Sequence, residues 1–146
     1  DLSIIELVAH AENFGVTVAV EAGINHPIYN YQLAKRLIDE VASPNLKIIL
    51  DCANLMHKEN HADQEKVIRG ALDNLHGYIT ALHLKDYIME NGKIRMVPVG
   101  KGCLDFRPVL HYIKYERPLM YATLEATPEI YVPEAIEHLQ FIYQDC

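Results

Sequence analysis

Four side chains that commonly bind divalent metal ions lie at or near the C-terminal ends of separate aliphatic runs. They are Glu21, Asp51, His83 and Glu125. The intervals between them are 30, 32 and 42 residues, and each is long enough for one helix and one strand with their loops. One acid at a strand end usually serves a loop or a helix cap. Four such residues predict a shared site, because three carboxylates and an imidazole in one pocket are unfavourable unless a cation joins them.

The types of these side chains also indicate which ion would bind. Three carboxylates and one imidazole form a hard, oxygen-rich set of ligands, which suits Mn²⁺, Mg²⁺ or Co²⁺ and also accepts Zn²⁺. We therefore expect one divalent metal ion as the cofactor, with Mn²⁺ favoured.

The elements that must position these residues alternate along the chain. Apolar residues at helical spacing predict helices over 2–14, 28–41, 62–75, 106–115 and from 133 to the C-terminus. Runs rich in Val, Ile and Leu predict strands over 16–20, 47–50, 79–84 and 119–124. A helix after each strand requires a parallel sheet with right-handed crossovers. This α/β pattern fits both a flavodoxin-like open sheet and part of a (β/α)₈ barrel, and the polar strand ends favour the barrel, in which they open onto one face.

The segment between His83 and the fourth helix is predicted as a long loop that ends at Asp105, which would cap that helix. Within it, Gly100-Lys101-Gly102 lacks the Walker spacing and the Ser or Thr of a phosphate-binding loop. We therefore interpret these three residues as a flexible loop.

The composition excludes several classes of protein. The chain has 146 residues, half of them apolar and 23% charged, which is typical of a soluble globular protein. A net charge of −7 without a basic cluster argues against partners such as nucleic acid or an anionic membrane. The apolar runs are much shorter than the ~20 residues that span a bilayer. Three widely spaced cysteines argue against a disulfide framework, so we expect a cytoplasmic protein.

Similarity to one family extends over nearly the whole chain. The sequence resembles xylose-isomerase-like TIM-barrel sugar isomerases and epimerases in the segments V-A-V-E, I-I-L-D-C-A-N, A-L-H-L-K-D, V-G-K-G-C-L-D-F and T-L-E-A-T. The resemblance implies that residues 1–146 are the C-terminal half of such a barrel, strands five to eight, with the N-terminal half absent. It also implies that the four residues bind one divalent metal ion.

Abasic-site nucleases of the endonuclease-IV type share this fold and these positions but hold three zinc ions with additional residues. The present sequence departs from their pattern. Asn54 stands where they have His, and Ile94-Arg95-Met96 stands where they have Asp-x-His. A three-zinc site is therefore not expected, and the acidic net charge agrees with this.

The resemblance to ketose 3-epimerases implies a reaction. A divalent ion that binds the carbonyl and the neighbouring hydroxyl of an open-chain sugar acidifies the adjacent C–H and stabilises the enediolate. Glu21 and Glu125 would be both metal ligands and the acid–base pair on opposite faces of the substrate carbon. The expected substrate is therefore a small sugar or sugar phosphate that is isomerised or epimerised.

Two residues near the predicted ligands are candidates for contact with this substrate. Lys85 lies two residues beyond His83, on the same side of the strand, where it could hold a substrate oxygen while Asp86 orients it. The resemblance places Asn54 next to the ligands or at the substrate.

Two further candidates come from the loops. His26 follows Glu21 on the same side as the proposed pocket. Arg95, in the long loop, could meet a phosphate if the substrate carries one. Both are predicted to bind substrate.

Two alternatives from other classes remain open on the sequence alone. A metal-dependent dehydratase of a cyclic polyol such as inosose would use the same ligands, and a half-barrel could be a non-catalytic module for metal binding or assembly. A complete barrel needs about 250 residues, so we expect this chain alone to be inactive. Its open edges would favour pairing with a second copy as a homo-oligomer.

Overall fold

The computed structural model of the protein describes residues 2–146. The strands are β1 Val18–Glu21, β2 Leu46–Asp51, β3 Ile79–Leu84, β4 Asp86–Glu90, β5 Lys93–Val97 and β6 Tyr121–Leu124. The α-helices are α1 Leu2–Phe14, α2 Tyr31–Val41, α3 Gln64–Leu75, α4 Arg107–Tyr115 and α5 Val132–Asp145. Short 3₁₀ helices lie in the connections after β2 and β6, at Ala53–Leu55, His61–Asp63 and Glu129–Tyr131. No helix within residues 2–146 is long and apolar enough to cross a membrane.

Four of the strands form one parallel sheet in the order β1-β2-β3-β6. Helices α2, α3 and α4 lie in the three crossovers between successive strands of this sheet. Parallel strands in chain order with a helix in each crossover are the repeating unit of a (β/α)₈ barrel. The fold is therefore α/β and corresponds to part of a TIM barrel.

The two faces of this sheet are covered differently. On the helix-covered face, aliphatic side chains of β2 and β3 belong to the buried core; they are Leu46, Ile48, Leu50, Leu82 and Leu84. The alternate positions of these strands point to the opposite side, which we name the ligand face. There Ile49 and Ala81 are only partly buried. Asp51 and His83 lie two residues further along the same two strands, on the same face.

Helix α2 illustrates how the sequence sets the bounds of an element. The side chain of Asn30 accepts a hydrogen bond of 2.8 Å from a backbone N–H of the first turn and so caps the helix. The helix ends at Val41, and the next residue, Ala42, adopts a left-handed φ of 51°. The buried residues Ala34, Leu37 and Ile38 lie on one side, so the helix packs that side against the core.

The connection after β3 differs from the predicted long loop. Strands β4 and β5 pair there as an antiparallel hairpin. The turn residues Asn91 and Gly92 have positive φ values of 52° and 74°, and Asn-Gly between alternating residues is a strong hairpin signal. The long-loop prediction was therefore wrong over this hairpin, although the sequence carries the signal for it.

Two sheet strands start later than predicted because turns occupy their first residues. The N–H of Val16 donates to the carbonyl of Ala11 and closes the end of α1, so β1 begins at Val18. The N–H of Met120 donates to the carbonyl of Arg117 in a turn, and β6 therefore begins at Tyr121.

Candidate metal centre

The C-terminal ends of the four parallel strands bring the predicted ligands together. Glu21 ends β1, Asp51 ends β2, His83 is the last residue but one of β3, and Glu125 directly follows β6. One ligand atom from each of them lies within 4.8 Å of the others. We refer to Glu21, Asp51, His83 and Glu125 as the ligand cluster. The convergence is observed, and this group could hold a metal ion.

His83 lies between two carboxylates of the cluster. Its Nδ1 is 3.1 Å from Oε2 of Glu21 and 2.7 Å from Oε2 of Glu125. His83 Nδ1, Glu125 Oε2 and Asp51 Oδ2 are nevertheless buried without a hydrogen bond of acceptable geometry to the described residues. Each of these atoms has a close ionic neighbour but no hydrogen bond of good geometry. Three such atoms from three different strands lie close together, an arrangement that a shared cation would stabilise.

Lys85 adds a positive charge beside two cluster carboxylates. Its side chain is 8% exposed, and its Nζ lies 2.8 Å from Oε1 of Glu125 and 3.1 Å from Oδ2 of Asp51. Asn54 Oδ1 accepts a hydrogen bond of 3.1 Å from Lys85, and its Nδ2 donates to Oε1 of Glu21. The backbone N–H of Asn54 donates to Oδ1 of Asp51 at 3.1 Å. Asn54 thus connects the lysine to two members of the cluster.

Burial and neighbouring charges move the pKa values of these groups in different directions. Burial raises the pKa of Asp51 to about 6, and the charge of Lys85 offsets only part of this effect. Burial also acts to raise the pKa of Glu125, but the hydrogen bond of Lys85 and the charges of Lys85 and His83 outweigh it and lower that pKa. Burial acts to lower the pKa of Lys85, but Glu125 and Asp51 outweigh it and raise that pKa. At neutral pH Lys85 is therefore an ammonium and Glu125 a carboxylate.

The charge and the atoms of the site fit a divalent cation. Three carboxylates and one ammonium leave a net charge of −2 when His83 is neutral. Oxygen donors with one imidazole suit Mg²⁺ and Mn²⁺ and accept Zn²⁺. The buried polar atoms that form no hydrogen bond of good geometry belong to three of these four residues, so the residues present fit the predicted ion.

His26 lies on the wall of cavities next to the ligand cluster. A cavity of about 210 Å³ is lined by His26, Glu21 and Val20 among others. A second cavity, of about 230 Å³, is lined by His26, Asn54 and Met96 among others. His26 thus lines one cavity together with Glu21 and a second cavity together with Asn54.

Arg95, in contrast, is not brought to the cluster. Its Nε forms an ion pair of 2.8 Å with Oε2 of Glu90, and both side chains are about half exposed. Its neighbours Ile94 and Met96 line the cavity that contains His26. Because side chains alternate along a strand, Arg95 points away from that cavity.

Asp86 differs from its predicted role of orienting Lys85. Within residues 2–146, the partners of Lys85 are Asn54, Asp51 and Glu125. Asp86 accepts hydrogen bonds from backbone N–H groups of the following loop. The prediction was wrong because it paired two neighbours in sequence, whereas alternation along the strand sends their side chains to opposite sides.

Comparison with known proteins bears on the fold. The sequence of residues 3–142 matches the family described as xylose isomerase-like TIM barrel. A xylose isomerase domain protein from Planctomyces limnophilus is 22% identical with a TM-score of 0.74, over 98% of this chain and 51% of that chain. The probable 3-DHS dehydratase AsbF from Bacillus anthracis is 17% identical with a TM-score of 0.69, over 96% and 54%. The 3-keto-D-glucoside 4-epimerase YcjR from E. coli is 21% identical with a TM-score of 0.67, over 99% and 51%.

These structural likenesses show the fold, and the family follows from the sequence match. No curated protein sequence matches the chain. The chain spans about half the length of the three solved structures described above. Because the family match extends over residues 3–142 of 146, the chain belongs to the xylose isomerase-like TIM barrel family.

Proposed function

We propose that the chain is the metal-binding half of a divalent-metal-dependent sugar or sugar phosphate isomerase or epimerase. The observation that carries this proposal is the convergence of the ligand cluster from four strand ends, with buried ligand atoms that form no hydrogen bond of good geometry. The similarity to an epimerase of a 3-keto-D-glucoside and to D-psicose 3-epimerase supports this reaction class.

The ligand cluster is the proposed site for one ion, with Mn²⁺ favoured. Similar structures were solved in complex with magnesium and with a bound zinc atom, which supports a divalent ion in this fold. When bound, the ion would supply Lewis-acid polarisation of a carbonyl group. The remaining chemistry belongs to the side chains.

Glu21 and Glu125 are the proposed acid–base pair. They come from the two outer strands of the parallel sheet, β1 and β6, and therefore approach the pocket from opposite ends. The lowered pKa of Glu125 keeps it ionised at neutral pH, so it can accept a proton from the carbon next to a carbonyl. Glu21, held by Asn54, can return a proton from the other side.

Three residues are the proposed substrate contacts near this pair. Lys85 is an ammonium that can donate a hydrogen bond to a substrate oxygen. Asn54 holds Lys85 in place, and His26 lies on the cavity wall beside Glu21. Together they would fix the sugar oxygens while the proton moves.

We propose that the chain supplies strands five to eight of the barrel. Its outer strands β1 and β6 are each paired on one side within the described sheet, and its ligand face is only partly buried. Four further strands would complete the wall of the substrate pocket. Turnover is therefore proposed for the closed barrel and not for residues 1–146 alone.

Metal titration of the chain tests the site directly. Metal-stripped protein titrated with Mn²⁺ should remove the free-ion electron paramagnetic resonance signal until one ion is bound per chain. The Asp51→Asn and Glu125→Gln variants should weaken this binding. Equal binding by the wild type and both variants would refute the ligand cluster as the site.

The reaction class is tested by hydrogen–deuterium exchange into the substrate in D₂O. The protein used is the closed barrel, that is, a protein in which four further strands complete the sheet described here. Ketoses, sugar phosphates and an inosose would each be incubated with the metal-loaded protein and followed by NMR. Deuterium appearing at the carbon next to the carbonyl, with an isomer or epimer as product, is the expected result. Loss of water from the cyclic polyol without an epimer would instead establish a dehydratase, the class to which the similar AsbF belongs.

A further inference from the structure

The carboxylate of Asp86 is buried at the start of β4 and surrounded by backbone N–H groups. Asp86 is 1% exposed. Its Oδ1 accepts from Tyr87 at 2.8 Å and Leu104 at 3.0 Å, and its Oδ2 accepts from Gly100 at 3.0 Å and Gly102 at 2.9 Å. A buried carboxylate is costly unless such bonds satisfy it. The segment 98–104, which we name the glycine loop, is therefore folded around this side chain.

The two glycines of this loop are required by the same arrangement. A Cβ on Gly102 would lie 2.2 Å from Oδ1 of Asp86 and 2.4 Å from the carbonyl oxygen of Tyr87. Gly100 has a φ of +87°, which side-chain-bearing residues rarely adopt. The sequence Gly-Lys-Gly thus lets the backbone approach one carboxylate closely, and the loop is held at a defined place.

The glycine loop is connected to Glu125 by two hydrogen bonds. The N–H of Val99 donates to Oγ1 of Thr127 at 3.1 Å, and the hydroxyl of Thr127 donates to the carbonyl of Glu125 at 3.3 Å. Between them, Ala126 has a φ of +52°. A non-glycine residue in this region is strained and persists when its surroundings hold it. The N–H of Glu125 also donates to the carbonyl of Leu84 on β3 at 3.0 Å, so the turn 125–127 is bonded to both β3 and the glycine loop.

We propose that Asp86 is a positioning residue for Glu125: it fixes the glycine loop, which holds the turn 125–127 through Val99 and Thr127. The Glu125 carboxylate reaches His83 and Lys85 from this turn. The expected effect on metal binding rests on the proposed function, because it presupposes that Glu125 binds the ion. The mechanical connection itself does not need an ion.

Amide hydrogen exchange of the metal-free chain tests that connection, with Mn²⁺ affinity as the second readout. Asp86→Asn replaces one oxygen by an NH₂ group that faces N–H donors. Exchange of the hydrogen-bonded N–H groups in residues 99–104 and at Glu125 should accelerate by roughly 10-fold, as expected for local opening, while β1 and β2 stay protected. Mn²⁺ binding should weaken by about 10-fold, the usual effect of releasing a group that orients a metal ligand.

Thr127→Val removes the connection with a smaller change and covers the case in which Asp86→Asn does not fold. It should accelerate exchange of the Glu125 N–H, which donates to the carbonyl of Leu84, and weaken Mn²⁺ binding while leaving residues 100–104 protected. Thr127→Ser, which keeps the hydroxyl, should restore both properties. Asp105→Asn is the matched control for Asp86→Asn, because the Asp105 carboxylate accepts a hydrogen bond from the N–H of Arg107 and has no bond to the turn among the described residues.

The outcomes separate this inference from the proposed function. If Asp86→Asn loosens the glycine loop but leaves the N–H of Glu125 protected, or if Thr127→Val leaves that N–H protected, the inference is overturned. A double variant should lose no more Mn²⁺ affinity than the larger single effect, because both act through one path. A wild-type chain that binds no Mn²⁺ would refute the proposed function, and the exchange data would still decide the role of Asp86.

Discussion

The two faces of the parallel sheet have different properties although their residues alternate along the same strands. On the helix-covered face, Leu50 is 1% exposed and belongs to an aliphatic core. On the ligand face, the next residue, Asp51, is also buried but contacts Lys85 and has a raised pKa. The comparison teaches that adjacent residues of one strand can serve different purposes, one in the stability of the core and the next in the metal site. The face on which a residue lies should therefore decide whether its substitution changes the unfolding free energy or metal binding and turnover.

The largest effect is expected on the ligand face, at Glu125. In the closed barrel, Glu125→Gln removes a base and an anionic ligand at nearly constant shape, so deuterium incorporation into the substrate should fall by at least ~100-fold. The melting temperature should change little. The matched control is Glu90→Gln, the same exchange at a half-exposed residue of the hairpin. Equal loss of turnover in both variants would show that the face does not decide the effect.

The opposite behaviour is expected at Leu50 on the helix-covered face. Leu50→Ala creates a cavity in the core and should lower the free energy of unfolding by about 3 kcal/mol, within the usual range of 2–5. Urea denaturation measures this change, and Mn²⁺ affinity of the folded protein should remain. Ile49→Ala makes a comparable truncation on the ligand face, where Ile49 is already partly exposed. A larger destabilisation by Ile49→Ala than by Leu50→Ala would contradict the comparison.

Asp51 links the two properties through pH. Because burial raises its folded-state pKa to about 6, folded metal-free protein holds this proton longer than the unfolded chain. The contribution of Asp51 to stability should therefore fall as pH rises from about 4 to about 6. Asp51→Asn removes this titration, so its stability relative to wild type should rise by about 3 kcal/mol across that range, at 1.36 kcal/mol per pKa unit.

Unfolding measured at several pH values, with and without Mn²⁺, checks this prediction. A bound cation favours the ionised carboxylate, so Mn²⁺ should stabilise wild type increasingly towards neutral pH and the variant much less. If wild type and variant keep a constant difference in unfolding free energy from pH 4 to 7, burial does not control this carboxyl group.

The sheet and the ligand cluster could be predicted from sequence because local patterns carry them. Aliphatic runs that end in Glu21 or Asp51 identify both a strand and its C-terminal residue, and parallel topology then brings these ends together. The position of Lys85 followed from the same alternation. Its partners did not, because its bonds to Asn54 and Glu125 join residues that are 31 and 40 positions away.

The hairpin and the glycine loop show where sequence patterns were insufficient. The alternation of strands and helices concealed β4 and β5, although Asn91-Gly92 is a hairpin turn. The segment with Gly100 and Gly102 was interpreted as a flexible loop because the carboxylate that fixes it is distant in sequence. That carboxylate belongs to Asp86, which precedes the hairpin. Such a contact depends on the tertiary path of the chain, which spacing alone does not encode.

The smallest change in stability and binding is expected on substitution of Arg95. Its side chain lies on the side of β5 that faces away from the cavity, a position set by the hairpin that the sequence analysis did not predict. Arg95 pairs with Glu90 in an exposed ion pair, and such pairs contribute about 0.2–1 kcal/mol. Arg95→Ala should therefore change the unfolding free energy by less than about 1 kcal/mol and leave Mn²⁺ affinity unaltered.

Met96→Ala is the matched comparison on the other side of β5, because Met96 lines the cavity with His26 and Asn54. The closed barrel would be titrated with phosphorylated and unphosphorylated ketoses. Met96→Ala should weaken the binding of both sugars, whereas Arg95→Ala should leave the binding of both unchanged. A selective loss of phosphorylated sugar binding in Arg95→Ala would show that this side chain reaches the substrate, and the assignment of faces on β5 would then be wrong.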